Sequence, residues 1–178
     1  MSGATNDLVK KSKEICQNFS HKEYDVLVSS GEQVSCALIA GKLINDGYKS
    51  RSWLAWQIPI ITKGFNKNSR IHQINKSNIT KYLKKGGIPI IAGFQGMNSD
   101  ERITTIGRGG SDASAIMIAK FFKAQRCIIY TDVEGVYTTD PNIVSKAKKI
   151  NKISYEEMLE LASQGAKVLQ TRSVELAM

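Results

Sequence analysis

The segment IPIIAGF, residues 88–94, decides how the rest of the chain can be interpreted. It is a short, continuous apolar run, which is typical of a strand that is buried on both faces. RCIIYTD, residues 126–132, has the same character. Between them, small and apolar residues over 112–123 predict a helix. Apolar strands that alternate with helices predict a parallel sheet covered on both sides.

The rest of the chain continues this alternation. Apolar residues at helical spacing predict an amphipathic helix over residues 6–19, capped by Thr5 or Asn6. The further predicted segments are helices over 26–46, 77–85, 153–163 and 166–177, and strands over 50–61 and 70–75. The predicted fold class is therefore α/β, a three-layer αβα arrangement with a mainly parallel sheet.

Length and composition indicate one globular domain. The 178 residues suit a single domain, and no apolar run approaches the roughly 20 residues that span a bilayer. The three cysteines are odd in number and far apart, which favours the reducing cytoplasm. The net charge of +9 would suit a polyanion, but the lysines are scattered and lack interleaved aromatic residues. We therefore expect neither a nucleic-acid nor a membrane partner.

The segment TTIGRGGSDASA places a cation, Arg108, among glycines directly before a predicted helix. Gly109 and Gly110 allow the backbone to approach a ligand closely, and the first amides of a helix favour an anion. The guanidinium fork of Arg108 suits a carboxylate or a phosphate. Ser111 and Asp112 can also cap the helix, so a plain surface turn remains an equal alternative.

Two further places carry candidate binding residues. In YTDVEGVYTTDP, Thr131 and Asp132 end an apolar strand, and Tyr137 could lie against a planar ring. A plain hairpin-like connection is the alternative for this loop. Glu32 follows a glycine on the polar side of a helix, where a solvated surface glutamate is the usual interpretation. We find neither a metal-ligand spacing nor a Ser-His-Asp arrangement.

Several segments together resemble the aspartokinases of the amino-acid kinase superfamily. TTIGRGGSDASA, IYTDVEGVYTTDP and ISYEEMLELASQGAKVL are similar to motifs of that family. SSGEQVSCALIAGKL looks like its G-E-x-x-S helix, IIAGFQGMN its strand and loop before GRGGSD, and SGATNDL its S-x-x-x-x-T-N segment. The resemblance covers nearly the whole chain, and GRGGSD is its most specific motif.

The resemblance implies phosphoryl transfer from ATP, with Mg²⁺ on the phosphates, to the β-carboxylate of L-aspartate. The product would be 4-phospho-L-aspartate, the first step towards lysine or diaminopimelate, threonine and methionine. It also implies an intact protein that is a homo-oligomer. The GRGGSD motif argues against a kinase for another small substrate of the superfamily.

The resemblance also assigns roles at the aspartate site. Arg108 would bind the α-carboxylate, and Glu32 would hold the α-ammonium group. Ser111 would contact the substrate, Thr5 would line the same pocket, and Asp112 would help to organise the reacting centre.

On the nucleotide side, the amides of Gly109 and Gly110 would face the transferred phosphoryl group. The residues that would hold the nucleotide are Thr131, Asp132, Tyr137, Asp140, Pro141 and Lys167.

The sequence departs from the family in ways that predict a fragment. It contains no K-F-G-G motif, whose lysine stabilises the phosphoryl group in transit, and no regulatory ACT domain. Asn142 replaces the arginine of the usual D-P-R, and VLQT replaces V-L-H-P. We therefore expect residues 1–178 to be a partial catalytic domain, incomplete at both ends and nearly inactive alone, whose partner would be an N-terminal fragment with the lysine motif. A non-catalytic remnant or interaction subunit is the alternative.

Overall fold

Two helices open the chain, and groups of short strands separated by single helices follow as far as Phe122. The computed structural model describes residues 3–107, 109–166 and 168–178. In chain order the elements are α1 (Ala4–Ile15), α2 (His21–Asn45), β1 (Ser50–Trp53), β2 (Ile60–Lys63), β3 (Arg70–Ile74), α3 (Ser77–Lys84), β4 (Ile88–Ile91), β5 (Gln95–Met97), β6 (Ile103–Thr105), α4 (Gly110–Phe122), α5 (Tyr155–Ser163) and α6 (Thr171–Ala177).

The strands form a parallel pair and a mixed sheet. β1 and β4 are parallel, in register from Ser50 opposite Ile88 to Trp53 opposite Ile91. The second sheet has the order β3-β2-β5-β6, in which only β2 and β5 are parallel. Its two antiparallel pairs are neighbours in sequence, and short connections allow only antiparallel pairing. The predicted α/β class is confirmed, with one sheet mixed in direction.

The apolar core lies where β1, β2 and β3 meet the helices. Its buried members are Trp53, Ala55, Ile58, Ile60, Ile74 and Ile79. Phe121 and Phe122, at the end of α4, pack against this cluster. α2 packs against β1, β4 and β6, and α6 packs against α4 and α5. The core therefore holds α4, and with it the loop that precedes α4, close to the sheets.

The single strand predicted over residues 50–61 is wrong. A turn divides it into β1 and β2, because the Leu54 amide donates to the Gln57 side-chain oxygen and the Gln57 amide donates to the Leu54 carbonyl, both at 2.9 Å. Pro59 lacks an amide hydrogen, so it could not donate within a continuous ladder.

The buried strand predicted over residues 126–132 is also wrong. This segment has no regular structure, and the side chains of Ile128 and Tyr130 are 57% and 92% exposed. Among the described residues, no strand pairs with it. An apolar run becomes a buried strand only when a neighbour satisfies its amides and carbonyls.

Helix boundaries differ from the predictions at several ends. α1 begins at Ala4 after Gly3, which has a left-handed φ of 82°, so Thr5 lies inside the helix rather than capping it. The late helix predicted over 166–177 begins only at Thr171, because Gln170 is extended. α5 matches its prediction and carries a capping box between Ser154 and Glu157. No helix in the described ranges is long and apolar enough to cross a membrane.

Two isoleucines test the correction at residues 126–132. Ile58→Ala should lower the free energy of unfolding by about 2–5 kcal/mol, because Ile58 is fully buried and its loss leaves a cavity. Ile128→Ala should change it by less than about 0.5 kcal/mol, because that side chain is largely exposed. Urea unfolding of the whole chain measures both. Equal losses would mean that Ile128 is buried after all.

Candidate active site

The glycine-rich loop, residues 106–110, joins the end of β6 to the start of α4. Gly109 has a left-handed φ of 69°, and a Cβ at this position would lie 2.6 Å from Cγ of Gln170. Only glycine fits both the conformation and the contact. α4 begins directly after it, and a helix N-terminus favours an anion. The Gly110 amide itself donates to the Gly107 carbonyl at 3.0 Å.

Phe94 forms hydrogen bonds through its backbone to both ends of this loop region, a role that was not predicted from the sequence. Its amide donates to the Ser114 hydroxyl at 2.9 Å, and its carbonyl accepts from the Ile106 amide at 3.0 Å. Its φ of 65° lies in the left-handed region, which costs an aromatic residue about 1–3 kcal/mol. Such strain is concentrated at functional sites, and a sequence pattern does not reveal it.

Glu32 and Ser111 meet at the mouth of the loop. Glu32 lies on α2 and Ser111 in the first turn of α4, and the Ser111 hydroxyl is 3.5 Å from a Glu32 carboxylate oxygen. This carboxylate therefore stands beside a helix N-terminus that favours an anion. The arrangement can bind a cation and an anion of one small molecule side by side, as the zwitterion of an amino acid requires.

Thr5 lies on the neighbouring helix without bonding to this pair. Leu8 of α1 contacts Gly31, the residue before Glu32: its Cδ1 is 3.8 Å from where a Cβ of Gly31 would stand. Thr5 is about one turn earlier on α1 and is exposed. The structure therefore brings Thr5 to the same side of α2, but within the described part of the chain the Ser111 hydroxyl bonds to Glu32 and not to Thr5.

Asp112 lies in the first turn of α4 and is partly buried. Burial raises the pKa of its carboxyl group above the ordinary value. Burial also raises the pKa of the Cys127 thiol, and the charge of Asp112 raises it further.

A second region, the cleft between the 132–142 loop and the end of α5, has a volume of about 880 Å³. Four predicted nucleotide-site residues line it, namely Asp132, Tyr137, Asp140 and Pro141. Thr131 does not line it, although its hydroxyl is 3.4 Å from a carboxylate oxygen of Asp132. Gln164 and Gly165, which the sequence did not single out, form its other wall.

The cleft wall is built as a hairpin-like loop. Tyr137 pairs with Lys149 in an antiparallel bridge, and the Tyr137 hydroxyl donates to Glu134 at 2.8 Å. This hydrogen bond is the main cause of a raised Tyr137 pKa. The hairpin-like alternative is therefore correct for the backbone, and it does not exclude a binding role, because the same backbone lines the cleft.

Two predicted residues, Arg108 and Lys167, lie outside the described residues. The neighbours of Lys167 in sequence, Ala166 and Val168, line the cleft. Within the described ranges, no group of three His, Cys, Asp or Glu side chains is placed to hold a metal ion.

Comparison with known proteins finds aspartokinases among the relatives of this chain. Aspartokinases of Rickettsia felis and Geobacillus stearothermophilus are 51% and 50% identical over 181 and 177 residues, which cover 100% and 99% of this chain but 45% and 44% of those proteins. The chain thus spans about half the length of the curated relatives that it matches.

Solved structures agree in fold. Aspartate kinase from Synechocystis aligns with a TM-score of 0.84 at 42% identity, over 99% of this chain and 29% of that one. E. coli aspartokinase III in complex with aspartate and ADP (R-state) aligns with a TM-score of 0.81 at 30% identity, over 97% of this chain and 39% of that one. The model of the amino acid kinase family matches residues 2–178, and the chain therefore belongs to the amino acid kinase family.

Proposed function

We propose that residues 1–178 are part of the catalytic domain of an aspartate kinase, which transfers the γ-phosphoryl group of ATP to the β-carboxylate of L-aspartate. The observation that carries this proposal is the 3.5 Å approach of Ser111 to Glu32 at the N-terminus of α4. The Glu32 carboxylate can bind the ammonium group of an amino-acid substrate, and the N-terminus of α4 can bind its carboxylate. The naming of the relatives as aspartokinases supports aspartate in particular.

At the aspartate site, Glu32 holds the α-ammonium group and Arg108 holds the α-carboxylate. Ser111 donates to the substrate, and Thr5 closes the α1 side of the pocket. This assignment leaves the β-carboxylate free to point along the glycine-rich loop towards the cleft. Asp112, whose pKa is raised by burial, follows Ser111 in the first turn of α4 and helps to organise the reacting centre.

At the nucleotide site, Tyr137 lies against the base, and the other residues face the ribose and phosphates. The 880 Å³ cleft is large enough for a nucleotide. The remaining proposed contacts are Thr131, Asp132, Asp140, Pro141 and Lys167. The amides of Gly109 and Gly110 face the γ-phosphoryl group when the nucleotide is bound, because helix N-terminal amides favour phosphate. In this structure the Gly110 amide donates to the Gly107 carbonyl at 3.0 Å, so it exchanges that bond for one to the phosphate.

Mg²⁺ would enter this site on the phosphates of the nucleotide, as the resemblance to aspartokinases implies. When bound to the phosphates, it neutralises part of their charge. The chain's own residues align the reactants: a β-carboxylate oxygen bonds to the γ-phosphorus while the bond from that phosphorus to ADP breaks. Alignment and charge stabilisation supply the rate enhancement, and no covalent enzyme intermediate is needed.

One observation favours a second candidate, a ligand-binding subunit without turnover. The apolar segment 126–132, which leads into the cleft, has no strand partner among the described residues. If that segment is ordered only by another chain segment, both ligands could bind while the reacting groups remain misaligned. A homo-oligomer or an N-terminal fragment with the K-F-G-G motif would then be the partner that completes the site.

A coupled assay for aspartyl phosphate separates the two candidates. The purified chain is assayed alone and with an added K-F-G-G segment of an aspartokinase, in parallel with calorimetric titration of aspartate and ADP. Turnover that appears on addition supports the kinase. Binding of both ligands without turnover in either form supports the second candidate, and no binding of either ligand contradicts both.

Glu32→Gln should weaken aspartate binding about tenfold or more, because it removes a charged partner of the α-ammonium group. Titration calorimetry measures the effect. Glu14→Gln is the matched control, since it makes the same charge change at an exposed position on α1.

Succinate, which is aspartate without its ammonium group, supplies the decisive comparison. Its weaker affinity should be the same in Glu32→Gln and in the unmodified chain. A parallel loss for succinate would show that Glu32 does not bind the ammonium group.

Asn142→Arg should tighten ATP binding about two- to fivefold by restoring a cation near the phosphates, and added salt should reduce the gain. Asn142 lines the cleft. Ile143→Arg is the matched control, because it adds the same charge at the next residue, whose side chain is 81% exposed and does not line the cleft. Equal gains in both variants would mean that position 142 does not face the phosphates.

A further inference from the structure

Asp25, on α2, is a fully buried carboxylate to which the proposed reaction assigns no role. Its oxygens accept from Asn66 Nδ2 at 2.8 Å, from the Lys67 amide at 3.1 Å and from the Thr105 hydroxyl at 2.7 Å. The Lys67 amide is shared between both oxygens. An ionised carboxylate only accepts hydrogen bonds, and each of these partners is a donor. Both carboxylate oxygens of Asp25 therefore have hydrogen-bond partners.

The donors come from two segments that are distant in sequence from α2 and from each other. Asn66 and Lys67 belong to the connection between β2 and β3, while Thr105 is the last residue of β6. The Ser69 amide, in the same connection, donates to the Thr105 carbonyl at 3.0 Å. Asp25 therefore fastens both segments to α2 at the point where β6 becomes the glycine-rich loop.

Arg172, on α6, bonds to the same region. Its guanidinium donates to the carbonyl of Ile106, to the carbonyl of Ser69 at 2.7 Å and to Asn68 Oδ1 at 3.1 Å. The planar fork with several donors can reach all three acceptors at once, which a single ammonium group cannot do in this geometry. Ile106 is the first residue of the glycine-rich loop.

We propose that Asp25 and Arg172 are positioning residues that hold the glycine-rich loop from two sides, so that its amides and Ser111 face the ligand. Asp25 acts through Thr105, and Arg172 acts through Ile106. The inference rests on the proposed function, because that function assigns the aspartate and the phosphoryl group to this loop.

Stability alone gives a weaker account of these contacts. Burying a carboxylate carries a large desolvation penalty, and well-packed apolar residues often stabilise a core as well or better. A fully hydrogen-bonded carboxylate restricts the orientation of its partners, because their donor groups must point at two defined oxygens. In Asp25 one of those donors belongs to Thr105, so the carboxylate orients the strand end that leads into the loop.

The test uses two adjacent buried threonines of β6. Thr105 donates to Asp25, whereas the Thr104 hydroxyl pairs with that of Thr62 at 2.6 Å. Thr105→Val and Thr104→Val each remove one buried hydroxyl and keep the side-chain shape. Deuterium exchange of the whole chain, followed by mass spectrometry of peptides, reports on the loop amides.

After correction for the global unfolding free energy, the loop amides should exchange roughly tenfold faster in Thr105→Val than in Thr104→Val. Peptides from α5 should not differ between the two variants. Equal loop exchange in both variants would overturn the role of Asp25.

A second pair of variants tests the other side. Arg172→Lys keeps the charge but loses the fork, and Arg70→Lys makes the same change at an exposed neighbouring arginine. Loop exchange should be faster in Arg172→Lys only. Because neither change removes a buried charge, this pair remains informative if a threonine variant folds poorly.

Ligand titrations separate this inference from the proposed function. If the unmodified chain binds aspartate, Thr105→Val should raise its dissociation constant about three- to tenfold relative to Thr104→Val and leave that of ADP unchanged. Equal aspartate affinities would overturn the positioning role. If the unmodified chain binds no aspartate, the proposed function fails, while the exchange data still decide whether Asp25 and Arg172 hold the loop.

Discussion

The parallel contact between β2 and β5 is the constraint on which the arrangement of the site depends. It consists of one registered pair, Ile61 opposite Met97, and it joins the β2–β3 hairpin to the β5–β6 hairpin. The strands come so close that a Cβ on Gly96 would lie 2.2 Å from Cγ2 of Thr62. Without a glycine at this position β5 would be displaced, and the end of β6 would move with it.

This constraint links the interior to the site in a few steps. The buried hydroxyl pair of Thr62 and Thr104 ties β6 across the same sheet. The carbonyl of Phe94, just before β5, accepts from Ile106, so the hairpin also fixes the beginning of the glycine-rich loop. α4 then starts within a few residues and packs on α6 and on the core. A short loop held at both ends can present backbone amides without being long enough to collapse.

Helices and strands with a local sequence pattern were predicted correctly. The predictions failed where a segment forms regular structure only by pairing with a distant segment. Helical periodicity identified α1 to α5, with errors mainly at their ends, and the capping pair of Ser154 and Glu157 belongs to one of them. β5 and β6 were not predicted, because three residues are too few to show a period. The apolar run 126–132 predicted a strand for which the described residues supply no partner.

The candidate site divides in the same way. The sequence motifs, read through a family resemblance, predicted Glu32 and Ser111 at one site, and α2 and α4 bring them together although 79 positions separate them. Motifs also identified most of one cleft wall, but not Gln164 and Gly165 on the other. Asp25 and Arg172 could not be predicted, because their partners lie 41 to 80 and 66 to 104 positions away. An aspartate or an arginine on a helix is usually an exposed surface residue, so its presence alone indicates no such role.

The region around the loop carries several features that oppose stability. Phe94 has a strained backbone, the carboxyl group of Asp112 is partly desolvated, and Asp25 is a buried carboxylate. The strained backbone and the buried carboxylate of Asp25 each cost on the order of a kcal/mol or more, against a total stability of about 5–15 kcal/mol for a domain. Such features persist only where the surrounding contacts over-determine the conformation.

In this chain those contacts come from three elements, α2, the β2–β3 connection and α6, and all three meet at the strand end before the loop. A chain selected for stability alone would not need a convergent set of hydrogen bonds at that point. A chain that must hold two reactants in line does need it, because a displacement of about 1 Å can cost 10²-fold in rate.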